Sequence, residues 1–250
     1  RGQGGVRGGS DAAPADSVLQ GRGRRRIGRD AVRGTAETPS FVRPDSLARA
    51  VPHARDADGI FLRAFLWRAA IAHESVRGHV ACGLPHVEKN DLTDAPLTFV
   101  DTAGAGFDEL WNELLESREN PQEADLAVKL ANSLLAFGFA PRELALITPY
   151  VAQARRLKGL MRSSGVEVGS VDGFQGREKE AVILSLVRSN EKGEIGFLGD
   201  TRRMNVALTR ARRLLIVLGD SAPIGRHPFY SAFLEYAEKR GRYRSAWEWI

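Results

Sequence analysis

Two blocks concentrate the residues of this chain that could do chemistry. The first, Ser170-Val171-Asp172-Gly173-Phe174-Gln175-Gly176, follows a short β-branched run, and its two glycines let the backbone bend tightly and come close to a ligand. Backbone amides gathered in such a bend can donate to phosphate oxygens without reading a base. In the second block arginines stand at 202, 203, 210, 212 and 213, directly before an apolar strand expected over Leu214 to Leu218. Guanidinium groups fixed at a strand edge suit phosphate oxygens, because they offer paired, permanently charged donors. A solvated basic face beside an ordinary turn is the alternative reading.

The elements that must position these residues read as alternating strands and helices. Leu97 to Asp101, Leu144 to Thr148, Val166 to Val171, Ala181 to Val187 and Leu214 to Leu218 are expected strands; the fourth is a near-continuous apolar run of the kind buried on both faces. Asn120-Pro121-Gln122-Glu123 predicts a helix start with an N-cap, a proline at N1 and a capping-box glutamate. That helix carries Ala127, Leu130, Ala131, Leu134 and Leu135 on one face, and Gly138 stops it. Further helices are expected near Ala152 to Met161, Met204 to Ala211 and Phe229 to Lys239, with Tyr243 to Ile250 packing or fraying at the end. This alternation implies a mainly parallel α/β sheet covered on both faces, with ligands at the carboxyl ends of the strands.

The two blocks, the strand LTFVD with Thr102-Ala103-Gly104 after it, and the segment LALITPYVAQ closely resemble the C-terminal motor domain of superfamily 1 helicases. The branch is the one that holds the nonsense-mediated-decay RNA helicase and the immunoglobulin-mu-binding-protein helicase. The resemblance spans roughly Ala95 to Ala222 and lies in the order and spacing of all the parts. It implies a RecA-like P-loop NTPase fold, with ATP and Mg²⁺ as cofactors of the intact family protein and single-stranded RNA or DNA as partner. Arg210, the first arginine of Thr209-Arg210-Ala211-Arg212, matches the arginine that reaches across a cleft between two RecA-like domains toward the γ-phosphate. A fixed charge there stabilises charge developing in phosphoryl transfer. Glu178 and Gly176 match the nucleotide side of the loop, Glu178 near the ribose; alternatively Glu178 is a surface acid beside Lys179. Arg212 either meets phosphate or, with Arg213, holds the local network together. Asp172, Gly173, Gln175 and Gly176 match the loop between nucleotide cleft and nucleic-acid channel. Thr148 and Ser170 match contacts to a sugar-phosphate backbone, Tyr150 either stacks a base or packs, and Gln153 matches the segment with no assignable role.

An ATPase of this class needs a phosphate loop, G-x-x-x-x-G-K-[ST], and a Walker-B acid for Mg²⁺, and neither occurs in the sequence. The resembled family carries both on an N-terminal RecA-like domain, which is therefore an expected partner. The family's Tyr-Arg-Met-His segment is also absent in the printed frame. Pro52-His53-Ala54-Arg55, read from the second base of each codon, is compatible with Arg-Met-His, and the same frame through Arg68 allows the family's continuation. Gly8 to Ser17 in that frame allow Gly-Asp-x-Met-Gln-Leu-Pro-Pro-Thr, resembling the end of the first helicase domain. Residues 1–70 are accordingly expected to be frame-shifted and disordered, 71–94 a linker, 95–240 the RecA-like domain and 241–250 a C-terminal tail.

Composition narrows the remaining classes. The formal net charge is +5, with much of the excess between Arg22 and Arg33. One cysteine, Cys82, excludes an internal disulfide and fits a reducing compartment, so a cytoplasmic protein is expected. No apolar run approaches the ~18 residues of a membrane span. His79, Cys82 and His86 supply at most three ligands with no second cysteine pair, so no metal site is expected. His227 beside Pro228 reads as part of a turn. Outside the enzyme class, the remaining readings are a non-catalytic nucleic-acid-binding or interaction module on the same fold and a flavodoxin-like binding domain.

Overall fold

A computed structural model of the chain describes residues 80–250; the expectations for residues 1–79, including the shifted frame and His79, lie outside the described residues. Among the described residues, eight strands and five α-helices follow in order: β1 (Leu97–Asp101), β2 (Leu110–Asn112), β3 (Ser117–Glu119), α1 (Pro121–Ala136), β4 (Leu144–Thr148), α2 (Val151–Leu160), β5 (Glu167–Ser170), β6 (Lys179–Ser185), α3 (Thr201–Leu208), β7 (Ala211–Gly219), α4 (Ser221–Ile224), α5 (Pro228–Arg240) and β8 (Arg242–Ser245). Six of the strands form one sheet in the order β5-β4-β6-β7-β1-β8, every pair of it parallel, while β2 and β3 pair as a separate antiparallel hairpin.

Period-2 geometry explains the apolar runs. Val182 and Leu184 of β6, with Leu215 and Val217 of β7, pack on Met204 and Ala207 of α3 and Phe229, Tyr230 and Phe233 of α5. Ala181, Ile183, Leu214, Ile216 and Leu218 point the other way, onto Ala127, Leu130, Ala131 and Leu134 of α1 and Leu157 of α2. Each central strand therefore needs apolar residues at every position, as expected for a sheet covered on both faces. Full burial of one such Leu or Ile side chain is worth about 2 kcal/mol.

Between β4 and β6 the chain changes direction. After β4 it steps outward to β5, and after β6 it steps to β7 on the opposite side. Such a switch leaves a crevice at the carboxyl ends of the two strands, the usual ligand position of open α/β sheets.

Several boundaries differ from expectation. Asn120 caps α1 by accepting from the Glu123 amide at 3.0 Å, and Pro121 opens the helix, but Glu123 does not turn back to complete a capping box. Its carboxyl crosses to the end of β6 instead, because burial there offers it a hydroxyl and an amide. Leu135 is only half-buried. α3 ends at Leu208 and β7 begins at Ala211, so Arg212 and Arg213 lie inside the strand, at the irregularity where its register with β6 shifts, rather than before it. The hairpin β2–β3 was not expected. Within residues 241–250, expected as a tail, Arg242–Ser245 pairs with Thr98–Asp101 as an edge strand; pairing there needs only backbone groups, and the charged side chains face solvent or acids. His227 caps α5, its Nδ1 accepting from the Phe229 amide at 3.3 Å.

Candidate functional site

The crevice is floored by a buried polar network. Glu123 at the first turn of α1 accepts from Ser185 Oγ at 2.7 Å and from the Val187 amide at 3.0 Å. Gln153, in the first turn of α2, donates to Ser185 Oγ at 3.0 Å and to the Asn120 carbonyl at 3.1 Å, and accepts from the Asn120 amide at 2.9 Å. Gln153 thus acquires the role that its sequence context did not reveal: it ties α2, α1 and β6 together behind the crevice. Burial pushes the Glu123 carboxyl up to about 7, against the opposing hydrogen bonds from Ser185 and Val187. Val187, fully buried and β-branched, sits at φ 72°, a left-handed conformation that costs on the order of 1–3 kcal/mol. Its amide bonds to Glu123, and its carbonyl accepts from Asn120 Nδ2 at 3.3 Å, which holds the strained turn in place. Next along, the buried Arg188 pairs with Glu109 at 2.8 Å.

The glycine block forms the rim. β5 ends at Ser170, and a single 3₁₀ turn, Asp172–Phe174, follows. Phe174 anchors this turn by packing against Gly169, where an added Cβ would lie 2.9 Å from the ring. Gly176 takes φ +81° in open space. Asp172, Gly173, Gln175 and Gly176 are exposed, as a contact loop requires. Their amides are less available than expected. Gly173 donates to Ser170 Oγ at 3.4 Å, Phe174 to the Val171 carbonyl at 3.1 Å, Gln175 to Asp172 at 3.3 Å and Arg177 to Phe174 at 3.1 Å. The turn consumes these donors itself, so it presents mainly side chains outward.

The arginine block stands at the other end of this loop, at the amino ends of β6 and β7, where the Lys179 amide donates to the Arg210 carbonyl at 3.0 Å and Lys179 pairs with Ala211. Arg210 donates from Nε to the Val206 carbonyl at 2.9 Å, from Nη1 to the Arg177 carbonyl at 3.2 Å and from Nη2 to Thr209 Oγ1 at 3.2 Å. The guanidinium therefore lies against the last turn of α3, where the negative end of the helix dipole favours a cation. Its Nη1 contact with Arg177 brings it beside Gly176 and Glu178. Arg212 is held by Glu178 at 3.3 Å and Glu180 at 3.3 Å, and Arg213 by Glu180 at 3.0 Å. This is the local network that the sequence left open for these two residues. Arg203 pairs with Asp200 at 3.3 Å and Asp172 at 3.6 Å. Together Val171, Asp172, Gln175, Arg202, Arg203 and Val206 line a shallow cavity of about 270 Å³.

Thr148 and Tyr150 turn inward. Thr148 is fully buried, its Oγ1 accepting from the Tyr150 amide at 3.4 Å and its carbonyl from the Val171 amide at 3.1 Å. Tyr150 is 8% exposed, and burial raises its phenol above the usual range. Packing, rather than stacking on a ligand, occupies its ring in this conformation.

Among the described residues no three His, Cys, Asp or Glu side chains gather to hold a metal ion, and His86 pairs with Glu143 at 3.0 Å. Among them, too, no helix is long and apolar enough to cross a membrane.

Comparison with known proteins places this edge in a family. A family model described as an AAA domain matches residues 66–222. The DNA-binding protein SMUBP-2 of Rattus norvegicus is 44% identical over 181 residues, 72% of this chain and 18% of that protein. The DNA polymerase alpha-associated DNA helicase A of Schizosaccharomyces pombe is 39% identical over 174 residues, 66% of this chain and 26% of that one. The ATP-dependent helicase upf1 of the same yeast is 38% identical over 157 residues, 59% of this chain and 17% of its own length. The chain thus spans only a minor part of the curated relatives it matches. The glycine and arginine motifs that meet at the sheet edge fall inside the matched AAA domain, and the chain belongs to the superfamily 1 helicases of the nonsense-mediated-decay and immunoglobulin-mu-binding-protein type, within their C-terminal RecA-like domain.

Proposed function

We propose that this chain supplies the second wall of the nucleotide cleft, and part of the single-strand track, of an ATP-driven nucleic-acid helicase, with a phosphate-loop RecA-like domain as its partner. The observation that carries the reading is the bond from Arg210 Nη1 to the Arg177 carbonyl, which joins residues 33 apart in sequence and brings a guanidinium to the backbone between the open Gly176 and Glu178. A nucleotide fits these groups in part. Arg210 uses three of its five N–H donors on its own chain and keeps two for a phosphate oxygen. Glu178 carries a carboxylate suited to ribose hydroxyls, and Gly176 lets the backbone approach. Mg²⁺ does not fit this wall, since no acidic cluster among the described residues would hold it; the partner domain would bring it.

In this mechanism the first wall supplies phosphoryl chemistry, and this chain supplies electrostatics and coupling. Arg210 stabilises charge developing on the transferred group and is ineffective until the cleft closes. Glu178 orients the sugar, while Arg212, bridging Glu178 and Glu180, fixes that carboxylate and lies next to the phosphates. Ser170, Asp172, Gly173 and Gln175 stand at the other end of the same short loop and face the single strand. Movement of the loop with cleft closure would therefore couple nucleotide to strand. The Arg- and Gly-rich composition of the first ~70 residues, and the helicase-like motifs that their codons allow one base along, are the grounds for reading them as translated from a shifted frame; the genomic codons for Val51 to Ala70 test this directly, and stops in the shifted frame would refute it.

Fusing the chain behind a phosphate-loop domain of a superfamily 1 helicase and following ATP turnover with single-stranded RNA or DNA tests the functional reading. Stimulated turnover that Arg210→Ala lowers by roughly 10³-fold or more is expected. The same kcat for both proteins would remove Arg210 from the chemistry. Strand binding with no turnover in any fusion would leave the non-catalytic module.

A further inference from the structure

Phe197 sits on the rim of the crevice, on the 3₁₀ turn Gly196–Gly199, and keeps 46% of its surface exposed. Its ring is 6.3 Å from that of the buried Tyr150, and the Arg203 guanidinium lies over it at 4.8 Å from the centroid. Neither partner is loose. Arg203 is held by Asp200 and Asp172, while the turn is pinned by the fully buried Leu198, whose carbonyl accepts from Tyr230 Oη at 2.8 Å. Gly196, at φ +52°, lies so close under Arg188 and Tyr150 that an added Cβ would be 2.5 Å from Arg188 Nη1. A large apolar ring is thus kept half in water by a rigid support, beside the cavity lined by Gln175, Arg202 and Arg203.

We infer that Phe197 and Arg203 form a stacking platform for a base of a single-stranded nucleic acid, one of the two roles that the sequence left open for Tyr150. The inference rests on the single-strand track proposed above. A ligand for this site must offer a flat π face to a ring and a guanidinium plane and tolerate the positive charge of Arg202 and Arg203; a base on a phosphate backbone does both. Little side-chain entropy is lost on stacking, because the ring and the arginine are already fixed. Trp111 provides the contrast. It is 50% exposed with Arg118 5.7 Å from its ring, but Arg118 is already paired with Glu109 at 2.9 Å, and Asp108, Glu113 and Glu116 lie near it in the chain, a charge that repels a polyanion.

The test measures fluorescence anisotropy of the full chain with a labelled twelve-nucleotide deoxythymidine strand and with an abasic strand of equal length, which keeps the phosphates and lacks the bases. The wild-type chain is expected to bind the thymidine strand more tightly. Phe197→Ala should weaken that binding by about 5- to 100-fold and leave the abasic strand unaffected. Phe197→Trp should restore affinity, with indole emission quenched on binding, while Trp111→Ala should change neither strand. Equal binding of both strands by the wild-type chain, or thymidine binding unchanged in Phe197→Ala, overturns the platform and leaves the strand track standing. Failure of the wild-type chain to bind either strand overturns both.

Discussion

Burial raises the Glu123 carboxyl, and this makes stability depend on pH in a definite direction. Its carboxyl titrates near 7 in the fold against 4.5 in its ordinary state, so the folded chain binds the proton more tightly. The stabilisation is fully present below about 4.5 and is lost as pH rises to about 7, in total on the order of 3 kcal/mol. Glu123→Gln keeps an acceptor for Ser185 and Val187 but cannot ionise. Relative to the wild-type chain, the variant should gain stability by about that amount between pH 4.5 and pH 8, read from urea melts at the two pH values. A constant difference across the range would show that Glu123 is ionised in the fold. The helix start around this residue was legible, because a cap is made within four residues of chain. The destination of the carboxyl was not, since its acceptor role depends on Ser185, 62 residues further on. Arg210 shows the same division: its motif named it, while its three bonds to its own chain depend on where α3 ends and where the Gly176 loop returns.

At the scale of elements, two glycines separate a required backbone from a tolerated one. Gly138 ends α1 at φ +104°, with the amides of Gly138 and Phe139 returning to the carbonyls of Leu135 and Leu134, and an added Cβ would lie 1.9 Å from the His86 carbonyl oxygen. Gly138→Ala should cost about 2 kcal/mol or more, since neither the dihedral nor the His86 backbone can yield cheaply. Gly159, inside α2, meets no atom within 4 Å, so Gly159→Ala should gain about 0.5–1 kcal/mol. Thermal melts of the two variants check both signs. Gly138 was readable as a stop because its signal is local and follows a clean apolar period. The boundary between α3 and β7 was not. Arg210 to Arg213 suit a helix end or a strand equally by propensity, and the parallel pairing of Lys179 with Ala211 decides in favour of the strand.

Across the whole molecule, the sheet is read from its centre outward. β4, β6 and β7 announce themselves because both of their faces are buried, whereas β8, Arg-Tyr-Arg-Ser, carries almost no apolar signal and β2 and β3 are too short to show a period. β8 nevertheless covers a vulnerable edge. It pairs with Thr98–Asp101 of β1, four of whose five residues are buried, and without it the backbone groups and Phe99 ring on that side would meet water. Side chains reinforce the backbone pairing. Tyr243 Oη donates to Asp101 Oδ2 at 2.5 Å and its ring packs 5.2 Å from that of Phe99, while Arg242 pairs with Asp94 at 2.5 Å and Arg244 with Asp91 at 3.1 Å. Asp101 in turn accepts from the Ser221 amide and hydroxyl at 3.0 and 2.7 Å, which connects this edge to α4 and the end of β7. Removing residues 241–250 should therefore lower the melting temperature by several degrees and promote self-association through the uncovered β1 edge. Tyr243→Phe, which keeps the ring and loses only the bond to Asp101, should lower it by far less and leave the chain's association unchanged. Melting curves with size-exclusion profiles at two protein concentrations decide it: a truncated chain that melts and elutes like the parent would mean that β1 closes the sheet unaided and that β8 is a dispensable addition to its edge.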